Sequence, residues 1–250
     1  MDNFSLNIIE TCESTNDELI KLGKQGANEG CSILSYQQTN GRGRKNKEWI
    51  SPKGNIYLST LLKPKTEKNH WSQISLVSGL SVMETLMQIG LNQELIKIKW
   101  PNDILINFKK VCGILIESFD NFVVVGIGIN VNSHPKNIGG NLDCTDLNSF
   151  IQKKEYDLLA MTKLILQKLF LNYFEWSHYL LKPFLFKINT HLAFKNLNII
   201  FKHNGTSNKG VLLEVDENGL LKVLCNKKVL KILSSDFSII QKGDGNAFSH

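Results

Sequence analysis

The sequence predicts a mixed α+β fold, a mainly antiparallel sheet carrying helices and followed by a small all-β, barrel-like module. Three observations predict it. Strand-like runs at 104–106, 111–116 and 122–129 are joined by short turns, and short turns imply antiparallel neighbours because a parallel crossover needs a dozen or more residues. Two long apolar-rich stretches, ending before Gly90 and at about Leu180, have helical spacing. From about Leu197 the pattern changes to short strands separated by turns.

The elements follow in order. Ser14-Thr15-Asn16-Asp17-Glu18 reads as a helix start, with Thr15 as cap and Glu18 three residues later as in a capping box. Gly23 or Gly26 can end that helix, and Cys31 to Tyr36 reads as a strand. A glycine-rich basic stretch from Asn40 to Gly54 precedes a strand from Ile56 to Leu62. Ser72 is the expected cap of the next helix, in which Val77, Leu80, Met83 and Met87 recur at helical spacing. Ile96, Ile98 and Trp100 alternate with lysines as in a strand, and Pro101-Asn102-Asp103 turns the chain. Asp157 to Leu180 is a long helix limited by Pro183. Strands are expected at 197–201, 211–215, 220–225 and 229–233, with Asp216-Glu217-Asn218-Gly219 as a turn. The expected division is a large mixed α+β domain over 1–190, an all-β domain over 191–242 and a tail over 243–250.

Composition narrows the class. At 250 residues the chain is long enough for one large domain or a domain with an appendage. No apolar run reaches the roughly 18 residues that span a bilayer, and residues 1–10 lack the basic start of a signal peptide. A cytoplasmic protein is the expectation. The five cysteines are widely spaced without a C-x-x-C pair, and the six histidines form no metal-binding spacing, so reduced structural cysteines and no zinc site are expected. The net charge of +6 favours anionic partners, although lysine is spread through the whole chain.

The most informative segment runs from Gly41 to Asn55. Within Arg42 to Lys53 there are five basic residues and one acid. Glycines let backbone N–H groups approach a phosphate, arginines add bidentate bonds, and Trp49 offers a flat face. Such a loop suits a polyphosphate or acyl-phosphate ligand, and by composition alone it suits an RNA contact or plain solvation equally well. It is neither a Rossmann fingerprint, since Asn46 stands where the third glycine belongs, nor a P-loop, since no G-K-[ST] occurs.

The order of motifs goes further. Gly41-Arg42-Gly43-Arg44 with Trp49 and Ser51-Pro52, then Lys99-Trp100-Pro101-Asn102-Asp103, then Lys110-Val111-Cys112-Gly113-Ile114-Leu115-Ile116-Glu117, then Gly126-Ile127-Gly128-Ile129-Asn130-Val131 resembles the biotin–protein ligase family. Ser14-Thr15-Asn16 and Gln38 match its upstream motifs, and the resemblance covers roughly residues 10 to 132. It implies a class II synthetase-like catalytic domain and an SH3-like C-terminal module.

The resemblance also implies roles. Ser14, Thr15 and Gln38 would face the ureido ring of biotin, with Asn16 nearby, and Gly41, Arg42, Lys110 and Gly113 would complete the biotin site. Arg42, Arg44 and Trp49 would close over the adenylate, with Asn102 and Asn130 on the nucleotide side. Lys110, Arg44 and Asp103 are the expected catalytic residues: Lys110 meeting the biotin carboxylate and the α-phosphate, Asp103 orienting or deprotonating the incoming lysine. ATP and biotin are the implied substrates, and Mg²⁺ is expected to be held through the ATP phosphates with no protein metal site. A biotin carboxyl carrier domain of acetyl-CoA carboxylase is the implied acceptor. No nucleic-acid or membrane partner is expected, and a homodimer through the strand near Gly126 to Val131, read as exposed, is left open.

Individual residues carry structural alternatives. Trp100 reads better as core than as ligand contact, Asp103 and Glu117 read equally as solvated or turn residues, and Asn130 reads as ligand-facing. Asn46 and Lys47 replace the family's second Gly-Arg, so the loop keeps charge but loses one guanidinium fork. The chain begins close to Ser14-Thr15-Asn16, so a ligase without a DNA-binding repressor domain is expected. A lipoate–protein ligase and a basic nucleic-acid-binding module are the competing readings; the second is disfavoured by the lack of an aromatic surface around the loop.

Overall fold

The computed structural model describes residues 4–135, 143–151, 156–203, 205–233 and 237–246. Seven strands, β1 (Ser5–Ile9), β2 (Cys31–Ser35), β3 (Ile56–Leu62), β4 (Ile96–Lys99), β5 (Asp103–Ile106), β6 (Lys109–Ser118) and β7 (Val123–Ile129), form one sheet in the order β1-β2-β3-β7-β6-β5-β4. Only β1 and β2 pair in parallel; β5, β6 and β7 form the expected antiparallel meander. β1 was not foreseen, because its five residues acquire a strand partner only across the intervening helix.

Period two assigns each strand two faces. Along β7, Val123, Val125, Ile127 and Ile129 are buried toward helices α2 (Ile74–Gln88) and α3 (Leu158–Tyr179), where the main core lies. Val124, Gly126 and Gly128 point to the opposite face, where Val124 packs with Leu19 of helix α1 (Thr15–Lys24), Ile33 and Leu61 in a second cluster. The same alternation puts Gly113, Leu115 and Glu117 of β6 on the α1 face. Gly113 pairs with Gly128, and Leu115 with Gly126. Side chains are therefore missing from adjacent rungs, leaving a depression in the sheet beside the start of α1.

Several local expectations shift. Ser14, with an extended backbone, is the N-cap of α1, its Oγ accepting from the Asp17 N–H at 3.4 Å; Thr15 is the first helical residue, because its hydroxyl is taken by Gln38. Ser72 lies inside a 3-10 turn, Lys68–Gln73, and α2 begins only after it. α3 is capped by Asp157, whose carboxylate accepts from the Ala160 N–H at 2.8 Å. It ends at Leu180, which takes φ 53°, and Pro183 instead opens the 3-10 turn that leads into an unforeseen short helix, α4 (Leu185–Thr190). Trp176 on α3 is wholly buried and donates its indole N–H to Gln73 Oε1 at 2.9 Å.

The C-terminal strands β8 (Leu197–His203), β9 (Thr206–Val215), β10 (Leu221–Cys225), β11 (Lys228–Ile232) and β12 (Phe237–Asn246) form a second, antiparallel sheet in the order β11-β10-β9-β8-β12. Its last strand runs past residue 242. Trp100 ties it to the first sheet: the ring is buried and its N–H donates to the Gly219 carbonyl at 3.0 Å. Asn189 of α4 adds a reciprocal pair with the Val215 backbone. β7, by contrast, is no exposed strand: it is paired on both edges by β3 and β6, so a dimer built on it has no free backbone to use. No helix among the described residues is long and apolar enough to cross a membrane.

Candidate active site

The depression between Gly113, Gly126 and Gly128 is the floor of a pocket. Ser14, Thr15 and Asn16 enter from the start of α1, Gln38 from the segment after β2, and Arg42, Arg44 and Trp49 from the basic loop, while Asn102 and Lys110 close the far end. Nearly all the expected residues thus converge, although they are spread over a hundred positions of sequence.

At one end the groups are neutral and satisfy one another. Gln38 Oε1 accepts from the Thr15 backbone N–H at 2.8 Å and from its hydroxyl at 3.1 Å, and Gln38 Nε2 donates to Ser51 Oγ at 3.0 Å. Ser59 Oγ, fully buried on β3, lies 2.7 Å from Thr15 Oγ1 and 2.6 Å from Asn16 Oδ1. Burial without water requires such pairing, since an unpaired polar group costs about 1–3 kcal/mol. Tyr57, a further wall of the pocket, has its phenol pushed up to about 12 by burial, so it is a neutral donor.

At the other end charge dominates. Asp103 is buried between two ammonium groups, Lys110 Nζ at 2.7 Å and Lys99 Nζ at 3.1 Å. Burial alone raises a carboxyl's pKa; the two lysines more than offset it and hold Asp103 below the usual carboxylate range. Arg44 is the complementary case. Burial lowers its pKa, Asp103 works against that, and its guanidinium donates to Asn102 Oδ1 at 3.1 Å. Asn102 is itself locked to β6, its carbonyl accepting from the Ile114 N–H at 2.9 Å and its Nδ2 donating to the Ile114 carbonyl at 2.9 Å.

Trp49 roofs the pocket. A Cβ on Gly128 would lie 2.5 Å from the indole and one on Gly113 2.8 Å from it, so only glycine lets the ring rest on the sheet. Lys110 Nζ is 5.1 Å from the ring centroid, within reach of a cation–π contact. The Trp49 indole N–H is buried and finds no hydrogen-bond partner among the described residues. With the ring so placed, the open cavity measures only about 60 Å³.

Some expectations need correcting. Gly41 does not line the pocket; it closes the loop, accepting the Trp49 N–H at 2.8 Å. Asn130 does not face the pocket either. Its side chain is buried and donates to the Thr145 carbonyl at 3.0 Å, while its own carbonyl accepts from Leu147. Arg42 does not point at the charged end: Nη2 lies between Asp17 (2.5 Å) and Glu117 (2.9 Å). Among the non-glycine residues of the loop, the one with positive φ is Lys45 (φ 55°). Two residues were missed or undervalued. Ser59 carries no sequence signal beyond being a polar residue in an apolar strand, and Glu117 stood as an even choice. No group of three or more His, Cys, Asp or Glu side chains gathers for a metal among the described residues, and both oxygens of Asp103 are engaged by lysines.

A pocket that pairs a neutral polar end with a cationic end suits a ligand carrying a polar ring and an anionic terminus. Comparison with known proteins decides the family. The model of the biotin/lipoate A/B protein ligase family matches residues 8–133. The chain belongs to this family. It is 29% identical over 245 residues to the bifunctional ligase/repressor BirA of Bacillus subtilis (strain 168), covering 92% of this chain and 72% of that one. It is 37% identical over 128 residues to the biotin–[acetyl-CoA-carboxylase] ligase of Paracoccus denitrificans, covering 49% of this chain and 53% of that one. Among solved structures, the biotin protein ligase from Aquifex aeolicus in complex with biotin and ATP superposes with a TM-score of 0.84 at 30% identity, covering 96% of this chain and 99% of that one. The ligase family's matched segment ends four residues after Ile129, so it takes in every wall of the pocket.

Proposed function

We propose that the chain is a biotin–protein ligase that makes biotinyl-5′-AMP from biotin and ATP and then transfers the biotinyl group to a lysine of a biotin carboxyl carrier protein of acetyl-CoA carboxylase. The observation that carries this reading is the pocket with two unlike ends. Ser14, Thr15 and Gln38 line the neutral end with donors and acceptors suited to a ureido ring, braced from behind by Ser59, and Lys110 and Arg44 present cations where a carboxylate must meet a phosphate. The names of the relatives support the substrates and the acceptor.

In the first step a carboxylate oxygen attacks the α-phosphorus and pyrophosphate leaves. Two anions approach, and Lys110 and Arg44 offset their repulsion with charges fixed in place beforehand. Magnesium belongs in this scheme with the nucleotide's phosphates, since no group of three or more His, Cys, Asp or Glu side chains gathers to hold it among the described residues. In the second step an amine attacks the acyl carbon and AMP leaves. An amine begins near pKa about 10.4, and a carboxylate held low by two lysines is a poor base for it. Asp103 is therefore assigned to positioning Lys110 rather than to deprotonating the acceptor. A second cavity of about 350 Å³ shares Arg44, Asn102 and Ile114 with the first and opens between α2 and the Asn218–Leu220 turn; it offers the acceptor lysine an approach to the charged end. Five free cysteines accord with a cytoplasmic protein.

The test is exchange of radiolabelled pyrophosphate into ATP, dependent on biotin, with lipoate in parallel. Exchange with biotin alone is the expected result. Exchange with lipoate alone moves the chain to the other branch of its family, and exchange with neither acid removes the reading.

A further inference from the structure

Arg42 opens the basic loop yet spends its guanidinium on two carboxylates away from the cationic end. Asp17 belongs to α1 and Glu117 to β6, and both lie within 3 Å of the same Nη2 atom. Glu117 Oε2 also accepts from Asn16 Nδ2 at 2.7 Å, and Asn16 is in turn bound to Ser59 of β3. One carboxylate thus ties together α1, β3, β6 and the loop. It is the only charged side chain on the pocket-facing rungs of β6 from Val111 to Glu117; Gly113 and Leu115 precede it there.

We infer that Glu117 is a positioning residue, which with Asp17 anchors Arg42 and so holds the first residues of the 41–55 loop against the sheet before any ligand arrives. The inference rests on the proposed ligase reading only for its consequence, which is that the loop's start is already in place when biotin binds. A charge-assisted bond from each side restricts the Arg42 side chain to one geometry, and Gly43, whose N–H donates to the Lys47 carbonyl at 2.6 Å, continues the fold of the loop from that fixed point.

The anchor is tested by the rate of tryptic cleavage after Arg44 and Lys45 in the native protein, followed by mass spectrometry, a readout that needs neither substrate nor activity. Glu117→Gln keeps the bond to Asn16 but removes the charge. It is expected to speed these two cuts about tenfold, the size of one lost charge-assisted bond, while cuts elsewhere keep their rates. Arg42→Met should do the same, and the double variant no more than either alone. Unchanged cleavage in Glu117→Gln overturns the inference, as do effects that multiply in the double variant or a rise at every site alike, which reports global loosening. Should Glu117→Gln not fold, Asp17→Asn on the more exposed side of the anchor gives the same reading with a smaller rise. In the working enzyme the anchor predicts a higher KM for biotin with kcat kept. A wild-type chain inactive with biotin defeats the ligase reading but leaves the cleavage result intact.

Discussion

The two ends of the pocket are built on different physics. At the Thr15 end neutral groups close their hydrogen bonds among themselves, and the result is a rigid surface whose pattern a ligand must match. At the Lys110 end two lysines share one buried carboxylate while Arg44 donates to Asn102 beside it, and the surplus positive charge is what a ligand meets. The contrast teaches that binding and activation are assigned to separate residues in one groove. The neutral end discriminates, because a mismatched ligand leaves buried groups unpaired. The charged end contributes most where negative charge gathers, which is in the transition state.

The largest effect is expected at the charged end. Lys110→Ala should lower biotin-dependent pyrophosphate exchange by about 100- to 1000-fold, the range for one preorganised donor at a developing charge, with biotin affinity changed far less. A larger change in affinity than in rate would break the contrast. Next is Asp103→Asn, which strands two ammonium groups and should cost about 3 kcal/mol of stability at pH 7, read by denaturant unfolding. Its pH dependence sharpens the point. The folded pKa of Asp103 is depressed, so its contribution is complete above the unfolded value near 3.9 and is lost as pH falls through the folded one. The gap between wild type and variant should therefore narrow below about pH 4.

At the neutral end Gln38→Ala leaves the Thr15 N–H unpaired and should raise the KM for biotin about tenfold, close to 1.4 kcal/mol, with kcat nearly kept. A fall in kcat without a change in KM contradicts the assignment. The smallest functional effect belongs to Asn130→Ala. Its side chain braces the Thr145 segment from outside the pocket, so stability should drop by about 1–2 kcal/mol in thermal melts while KM moves less than roughly twofold. A tenfold KM change would return Asn130 to the ligand.

Much of this was legible in the residues. The strand at Ile56–Leu62 and the meander through Ile129 follow from alternation and short turns, signals that are local. So do the long helix that follows Asp157 and Asp216–Gly219 as a turn. β1 was not legible, because a strand without strong alternation is recognised only by its partner, here β2 across a helix. Ser14 displaced Thr15 as cap for a similar reason: Gln38, more than twenty residues away, claims the Thr15 hydroxyl. Asn130 looked ligand-facing since an amide at a glycine-flanked strand end is an odd choice for a core; its partner is a backbone carbonyl fifteen residues later.

The sequence by itself determined which chemistry is present: the basic loop, the paired glycines of β6 and β7, and the lysine that follows the Asn102-Asp103 turn. Composition and spacing carry those because they depend on neighbours in the chain. Which groups face one another was decided only by the tertiary structure. Arg42 and Arg44 stand two positions apart in one motif, yet one is held by Asp17 and Glu117 and the other by Asn102. The strand pairing sets which carboxylate or amide each meets, and electrostatic and hydrogen-bond energies depend on that distance rather than on separation along the chain.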